Sequence, residues 1–437
     1  METTLAKSDV HGEPRQTTTA AVRRRIMVAL FSTQGMFTAA IIATFTVSPI
    51  LAAKLSGSDS AAGLPNTVSL AGRALLAAPA GLLMDRAGRR LGLSLGFLLG
   101  AAGAVLGFYA ILVGSFLGFL ASAALLGMMR AAAEQGRFVA HEIHPPAQGA
   151  RAIGLVVFAG TLGAIGGPLL VPRSTRWALA RGLPESAGPF ALAALMLLGA
   201  MLLILLLLRP DPRRLAQLLE TAETPGEPAV LRGLAMLFEH PLARLAVLSM
   251  AISQLVMTLL MVVTPLNMSH QGQGTALIAW VIMAHTLGMF GLSWIGGWLI
   301  GRLGALVVIA GGTLVLLLAA VIAPLAHGVA MLALALFLLG LGWSFCFVAG
   351  STLLAQVVAA GERGRLQGAS ETFVSIATGA GSLGAGPLFA VSGLWLPAGM
   401  GLLLALALLA TALPSILPGI GAIRSRRPAA AGGQLRR

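Results

Sequence analysis

Apolar residues run in long blocks along this chain, without the strict alternation of a half-buried strand. Twelve such stretches occupy residues 27–53, 64–84, 91–114, 116–138, 152–172, 187–208, 243–267, 275–300, 305–325, 328–353, 367–390 and 394–418. Each runs well past strand length, and at about 1.5 Å per residue a helix of about 20 residues crosses a hydrocarbon core of about 30 Å. In hydrocarbon every backbone amide needs an internal partner, so the stretches predict membrane-spanning helices. The expected fold is an all-α polytopic membrane protein of twelve spans in two six-helix bundles, 27–208 and 243–418. A polar tail (1–26), a central loop (209–242) and a second tail (419–437) complete the division. Two pieces of the central loop, RRLAQLLE and VLRGLAMLF, suit short amphipathic helices on a membrane surface, or a plain linker.

Composition agrees with the pattern. The chain is 57% hydrophobic and 10% charged, against roughly 45–50% and about 25% in a soluble domain. A soluble fold is excluded. The net charge of +14 raises the question of nucleic acid, but its distribution answers it. With the amino terminus inside, 23 of the 29 Lys and Arg residues fall on the inner side, four outside, and Arg73 and Arg130 within spans. The basic excess is therefore an orientation signal that places both termini in the cytoplasm of a bacterial inner membrane. No nucleic-acid partner is expected; the partners are the bilayer and a small molecule, with the chain acting as a monomer. The polar amino-terminal tail lacks the apolar core and cleavage site of a signal peptide and reads as cytoplasmic. Cys346 is the sole cysteine, which rules out a CxxC site or an internal disulfide.

Other chemistries lack their residues. A phosphate-cradling G-x-x-x-x-G-K-[ST] needs a lysine, and Lys7 and Lys54 both follow alanine. The run HEIH at 141–144 is not H-E-x-x-H and abuts Pro145 and Pro146, where helical ligand spacing fails. No metal, cofactor or enzymatic activity is expected.

The two halves carry the same marks. Gln34-x-x-x-Thr38 in the first span returns as Gln254-x-x-x-Thr258 in the seventh. Gly81-x-Leu83 with Arg86 and Gly88 after the second returns as Gly297-x-Leu299 with Arg302 and Gly304 after the eighth. Gly163…Gly167-Pro168 in the fifth returns as Ser382…Gly386-Pro387 in the eleventh. The separation between copies stays constant to within a helical turn, which points to a six-helix duplication. Parallel repeats of this kind are a known transporter plan.

The turn after the second span reads Gly81-x-Leu83-x-Asp85-Arg86-x-Gly88-Arg89-Arg90. It resembles the signature loop of the major facilitator superfamily, G-x-L-x-D-R-x-G-R-R, at every defined position. The degenerate copy also sits where that family has one, with Gly301 in place of the acid. The resemblance spans nearly the whole chain and implies a secondary transporter working by alternating access; a proton gradient is the expected energy source. It further implies that the loop latches the inner side against the start of the eleventh span. There Asp85 would meet backbone amides, and Arg86 or Arg89 would reach Glu371 or the carboxylate of Asp85. Gly163, Gly167 and Pro168 partly resemble the fifth-helix motif of drug/proton antiporters; as small residues they also suit close packing of the fifth and eighth spans. The segments 256–268 and 280–290 are similar to a bacterial branch of the same superfamily.

Polar residues inside the spans are the remaining candidates. Arg73 lies near the middle of the second span, where a charge is costly and faces a cavity or a partner. Arg130, Glu134, Arg137 and His141 follow at helical spacing on the fourth span, with Glu134 a candidate protonation site. His285 is the alternate coupling residue. Gln34, Thr38, Gln254, Met257, Thr258 and Met261 are candidate lining residues on the first and seventh spans, Met surfaces being adaptable to varied apolar ligands. Proton-coupled efflux of a partly hydrophobic compound leads. Uptake of an organic anion through Arg73 stands beside it, and so does a non-transporting receptor or scaffold.

Overall fold

The computed structural model describes residues 13–144, 146–212, 240–357 and 363–425. Among them every regular element is helical. The first half comprises α1 (Glu13–Ser56), α2 (Leu64–Ala87), α3 (Arg89–Val113), α4 (Phe116–Ala133), α5 (Gly136–Glu142), α6 (Pro146–Leu179) and α7 (Ala187–Leu207). The second comprises α8 (Pro241–His270), α9 (Thr275–Thr286), α10 (Ser293–Leu303), α11 (Ala305–Leu325), α12 (Val329–Val357), α13 (Arg363–Ser392) and α14 (Trp395–Ser425). Among the described residues ten helices are long and apolar enough to cross a membrane, and the number reaches twelve when each of two bent pairs is taken as one span. The two segments proposed as amphipathic surface helices lie outside the described residues.

The bent pairs are the second and eighth spans, each with an angle of 40°. Pro79 breaks α2, because its ring has no N–H and clashes with the carbonyl one turn earlier. A π-helical turn, Leu287–Gly291, joins α9 to α10. The fourth span is shorter than the sequence pattern suggests. α4 ends at Ala133, Glu134 caps it, and the chain turns before α5 begins at Gly136. The expected single face from Arg130 to His141 is therefore interrupted after Glu134.

Two compact units emerge, residues 1–225 with 268–283 and residues 226–267 with 284–437. The first packs Phe97 of α3, Met129 of α4, and Phe190 and Leu197 of α7 into a continuous apolar core. The second packs Val308 and Ile309 of α11 against Ala349 and Leu353 of α12. Residues 268–283, the end of α8 and the start of α9, belong to the first unit. There His270 Nε2 lies 3.4 Å from Asp59 Oδ1, and the Thr275 amide donates to Glu185 Oε1 at 3.4 Å. The Thr275 hydroxyl donates to the same oxygen. Ala43, Val171 and Ala279 form a small buried cluster of α1, α6 and α9.

Lipid tails are as apolar as leucine, so helices here associate by close backbone approach at small residues. A β-carbon on Gly127 would lie 1.9 Å from the Ser69 carbonyl oxygen, and one on Gly72 would lie 2.4 Å from that of Ala124. α2 and α4 thus cross by setting glycine on carbonyl, twice. The second unit repeats this: Gly288 against the Phe337 carbonyl at 2.1 Å and Gly340 against that of His285 at 2.3 Å. One offset along the chain relates Ser69 to His285 and Gly72 to Gly288. A second, nearly equal offset relates Ala124 to Phe337 and Gly127 to Gly340. The duplication read from the sequence is present in the packing.

Gly127→Val should strongly destabilise the protein, by more than the roughly 1–3 kcal/mol typical of overpacking, because backbone cannot move aside as a side chain can. Gly154→Val, where a β-carbon meets nothing within 4 Å, should leave the melting temperature of purified protein near wild type. Equal melting of the two variants would contradict the crossing.

Candidate functional site

Arg73 follows Gly72 on α2, and Arg130 stands one turn beyond Gly127 on α4, so the glycine crossing brings both arginines to one place. Glu134, at the end of α4, meets them. Arg73 Nη2 lies 2.7 Å from Glu134 Oε2, and Arg130 Nε lies 3.8 Å from Glu134 Oε1. All three side chains are about one-third exposed or less. The Arg130 Nε is buried and has no hydrogen-bond partner among the described residues. Two guanidinium groups thus share one carboxylate, an excess of one positive charge inside the span. Such an excess is costly in a membrane unless water or an anion answers it.

Gln34 and Thr38 form a separate pair on α1, Nε2 to Oγ1 at 3.5 Å, with Gly160 of α6 against both. Their counterparts on α8 repeat the bond: Gln254 Nε2 lies 3.3 Å from Thr258 Oγ1. Gln254 has a further partner that sequence reading missed. The Trp343 indole N–H of α12 donates to Gln254 Oε1 at 2.9 Å.

Other candidates take structural places. His285 is 2% exposed, and its Nδ1 lies 2.9 Å from the Leu336 carbonyl, tying α9 to α12. Met261 is buried in packing, as is Thr258, while Met257 is half-buried. Gly163 and Gly167 of α6 seat on the carbonyls of Gly35 and Ala39 in α1. The contact of α6 with α9 is made instead at Val171 and at Thr175, whose hydroxyl lies 3.4 Å from that of Thr275. Arg137 is exposed on α5, and the His141 side chain lies outside the described residues.

At the charged turn, Gly88 has φ of 96° and leaves α3 without a side-chain cap of its own. Positive φ favours glycine, and the space is also taken: a β-carbon would lie 2.4 Å from Asp211 Oδ2. Asp211, from beyond α7, accepts from the Arg89 amide at 3.2 Å and the Arg90 amide at 3.0 Å. The anion belongs there because the helix amino terminus presents unpaired N–H groups and a positive dipole end. Asp85 instead lies 3.1 Å from Arg89 and is largely exposed. Arg89 also donates to both oxygens of Glu142 at 3.1 and 2.7 Å, and Arg90 donates to the Leu205 carbonyl at 2.6 Å. Gly81 is half-buried, Arg86 is exposed, and Glu371 is exposed on α13. Sequence reading found the turn but missed Glu142 and Asp211, because both are distant along the chain.

The sequence profile of the Major Facilitator Superfamily matches residues 28–382 and 246–435. YdeG of Bacillus subtilis, an uncharacterised MFS-type transporter, is 34% identical over 361 residues, 81% of this chain and 83% of that protein. RfnT of Brucella anthropi, a riboflavin transporter, is 29% identical over 380 residues, 86% of this chain and 92% of that protein. Among solved structures, the nucleoside transporter NupG superposes with a TM-score of 0.70 at 14% identity, covering 89% of this chain and 99% of that one. That likeness concerns the fold.

Asp211→Ala should lose about 1 kcal/mol, the usual worth of an amino-terminal cap, and Asp211→Asn less. Hydrogen exchange at the Arg89 and Arg90 amides reads the loss directly. Unchanged protection in Asp211→Ala would mean that the carboxylate does not cap α3.

Proposed function

This chain belongs to the Major Facilitator Superfamily, a transporter of the alternating-access type and not an enzyme, and we propose that it takes up a small organic anion together with a proton. Arg73, Arg130 and Glu134 form the coupling centre. The observation that carries this reading is the sharing of one carboxylate by two arginines, with the Arg130 Nε left unbonded.

Ionised Glu134 occupies Arg73. Protonated Glu134 loses its charge and releases the guanidinium group, leaving two cations in a poorly solvated place. A carboxylate or similar anion on the solute then answers them, and arginine's planar fork suits it. Proton and anion therefore favour each other's binding, and by linkage the effect is reciprocal. Ligands that bind together are carried together, which is symport, and an inward proton gradient makes it uptake. A cationic solute would compete with the proton and give exchange. Gly163 and Gly167, part of the motif that pointed toward efflux, seat on the carbonyls of Gly35 and Ala39 in α1. The inner-side concentration of arginines supports a cytoplasmic membrane location with both termini inside. The riboflavin transporter among the relatives makes riboflavin the first compound to assay beside small carboxylates.

Three outcomes are expected in proteoliposomes and by equilibrium binding of a carboxylate found in a thermal-shift screen. A protonophore should abolish accumulation. Binding to wild type should tighten as pH falls, since protonation of Glu134 frees the arginines. Glu134→Gln should hold high affinity at every pH and exchange labelled for unlabelled solute, yet fail to accumulate it. Binding that tightens as pH rises would overturn the scheme. Arg73→Lys keeps charge but loses the fork, and should weaken binding about tenfold.

A further inference from the structure

The second unit holds an aromatic group that the coupling centre does not use. Resting on the reading of this chain as a carrier of organic anions, we propose that Trp343 and Phe347 form a shelf on which a planar aromatic ring of the solute stacks. The Gln254 amide stands beside it for a ring carbonyl or heteroatom. The solute class is then an aromatic acid or another planar anion.

Trp343 and Phe347 lie one turn apart on α12, with ring centroids 4.9 Å apart and planes inclined by 26°, a stacked pair. Phe290, in the π-helical turn, meets Trp343 edge-on at 6.4 Å and 76°. The indole is fixed by its bond to Gln254 Oε1, and Gln254 Nε2 turns to Thr258. Thr258 in turn donates to the Gln254 carbonyl at 2.8 Å. The rings are thus held by bonds and packing before any ligand arrives. An amide group carries two N–H donors, and Thr258 takes one of them. Trp343, Phe347 and Gln254 are all half-buried, leaving part of each surface open. Tryptophans that anchor a chain at the membrane interface keep the indole N–H toward water. Trp343 gives its N–H to a glutamine of another helix, so it is not of that kind. Trp294, by contrast, is 70% exposed.

The duplication supplies an independent reason. Trp343 follows Arg130, and Phe347 follows Glu134, at the same separation that relates Gly340 to Gly127. Gln254 likewise follows Gln34 at the separation that relates Leu255 to Gly35, and each of the latter pair supplies the carbonyl on which Gly381 or Gly163 sits. The shelf therefore occupies in the second repeat the place that the charged centre occupies in the first. Equivalent positions have diverged, one set toward an ion pair and the other toward a π surface. Every aromatic system offers a face for stacking, so such a shelf selects for planarity.

The test compares two acids of similar bulk on the purified full-length protein: anthracenecarboxylate, which is planar, and adamantanecarboxylate, which is saturated and globular. Wild type should bind the planar acid more tightly. Trp343→Leu and Phe347→Leu should each weaken the planar acid about tenfold, the scale of one lost stacking contact, and leave the globular acid within about twofold. Trp343→Phe keeps a ring without the N–H and should retain most of the affinity; it also serves as the folded control if a leucine variant melts early. Equal wild-type affinity for the two acids, or shelf variants indistinguishable from wild type, overturns the shelf. Arg130→Gln separates the two readings. If it weakens both acids while the shelf variants bind normally, the shelf falls and the charged centre stands; if only the shelf variants lose the planar acid, the reverse holds.

Discussion

Glycine set against a backbone carbonyl is the contact on which each unit depends. In water, apolar faces drive helices together; in lipid that drive is absent, and backbone proximity must replace it. The crossing of α2 on α4 through Gly72 and Gly127 leaves no room for a methyl group. It also fixes where the neighbouring side chains go. Arg73 is the next residue after one glycine, and Arg130 stands one turn beyond the other, so the crossing that packs the unit also assembles its charges. The same crossing in the second unit, at Gly288 and Gly340, carries Trp343 into the equivalent position.

Charge elsewhere is kept to the ends of helices, where dipoles and water answer it. Asp211 at the start of α3 satisfies two amides that Gly88 cannot cap, and Arg89 is held by Glu142. At the opposite ends of the spans, Glu185 and Asp59 engage the segment from His270 to Thr275. These contacts involve few groups and partly exposed side chains. Contacts of that kind are worth little singly.

Within the spans the structure distinguishes residues that the sequence treats alike. His285 and Arg130 are both polar residues in apolar helices, yet one is sealed against a carbonyl while the other retains an unbonded donor. The methionines of α8 share a helical face, but Met261 is buried in packing while Met257 is half-buried. Periodicity reports which face a residue occupies and says nothing of what that face meets. Glu134 was legible as a candidate, but its partner Arg73 lies on another helix, and the turn after Ala133 removed the face on which Arg137 was expected to join it.

By itself the sequence determined the class of fold, the orientation signal, the charged turn and the duplication, because each is written in local composition or in repeated spacing. Apolar blocks longer than a bilayer is thick admit little but helices, and a short contiguous motif needs no tertiary information to be seen. Only the tertiary structure decided which charges meet. Arg73 with Glu134, Asp211 with the start of α3 and Trp343 with Gln254 each join residues from distant parts of the chain. Such contacts follow from where helices cross and bend. Those crossings are set by backbone approach at a few glycines among the 55 in the chain, and nothing local in the sequence marks which ones.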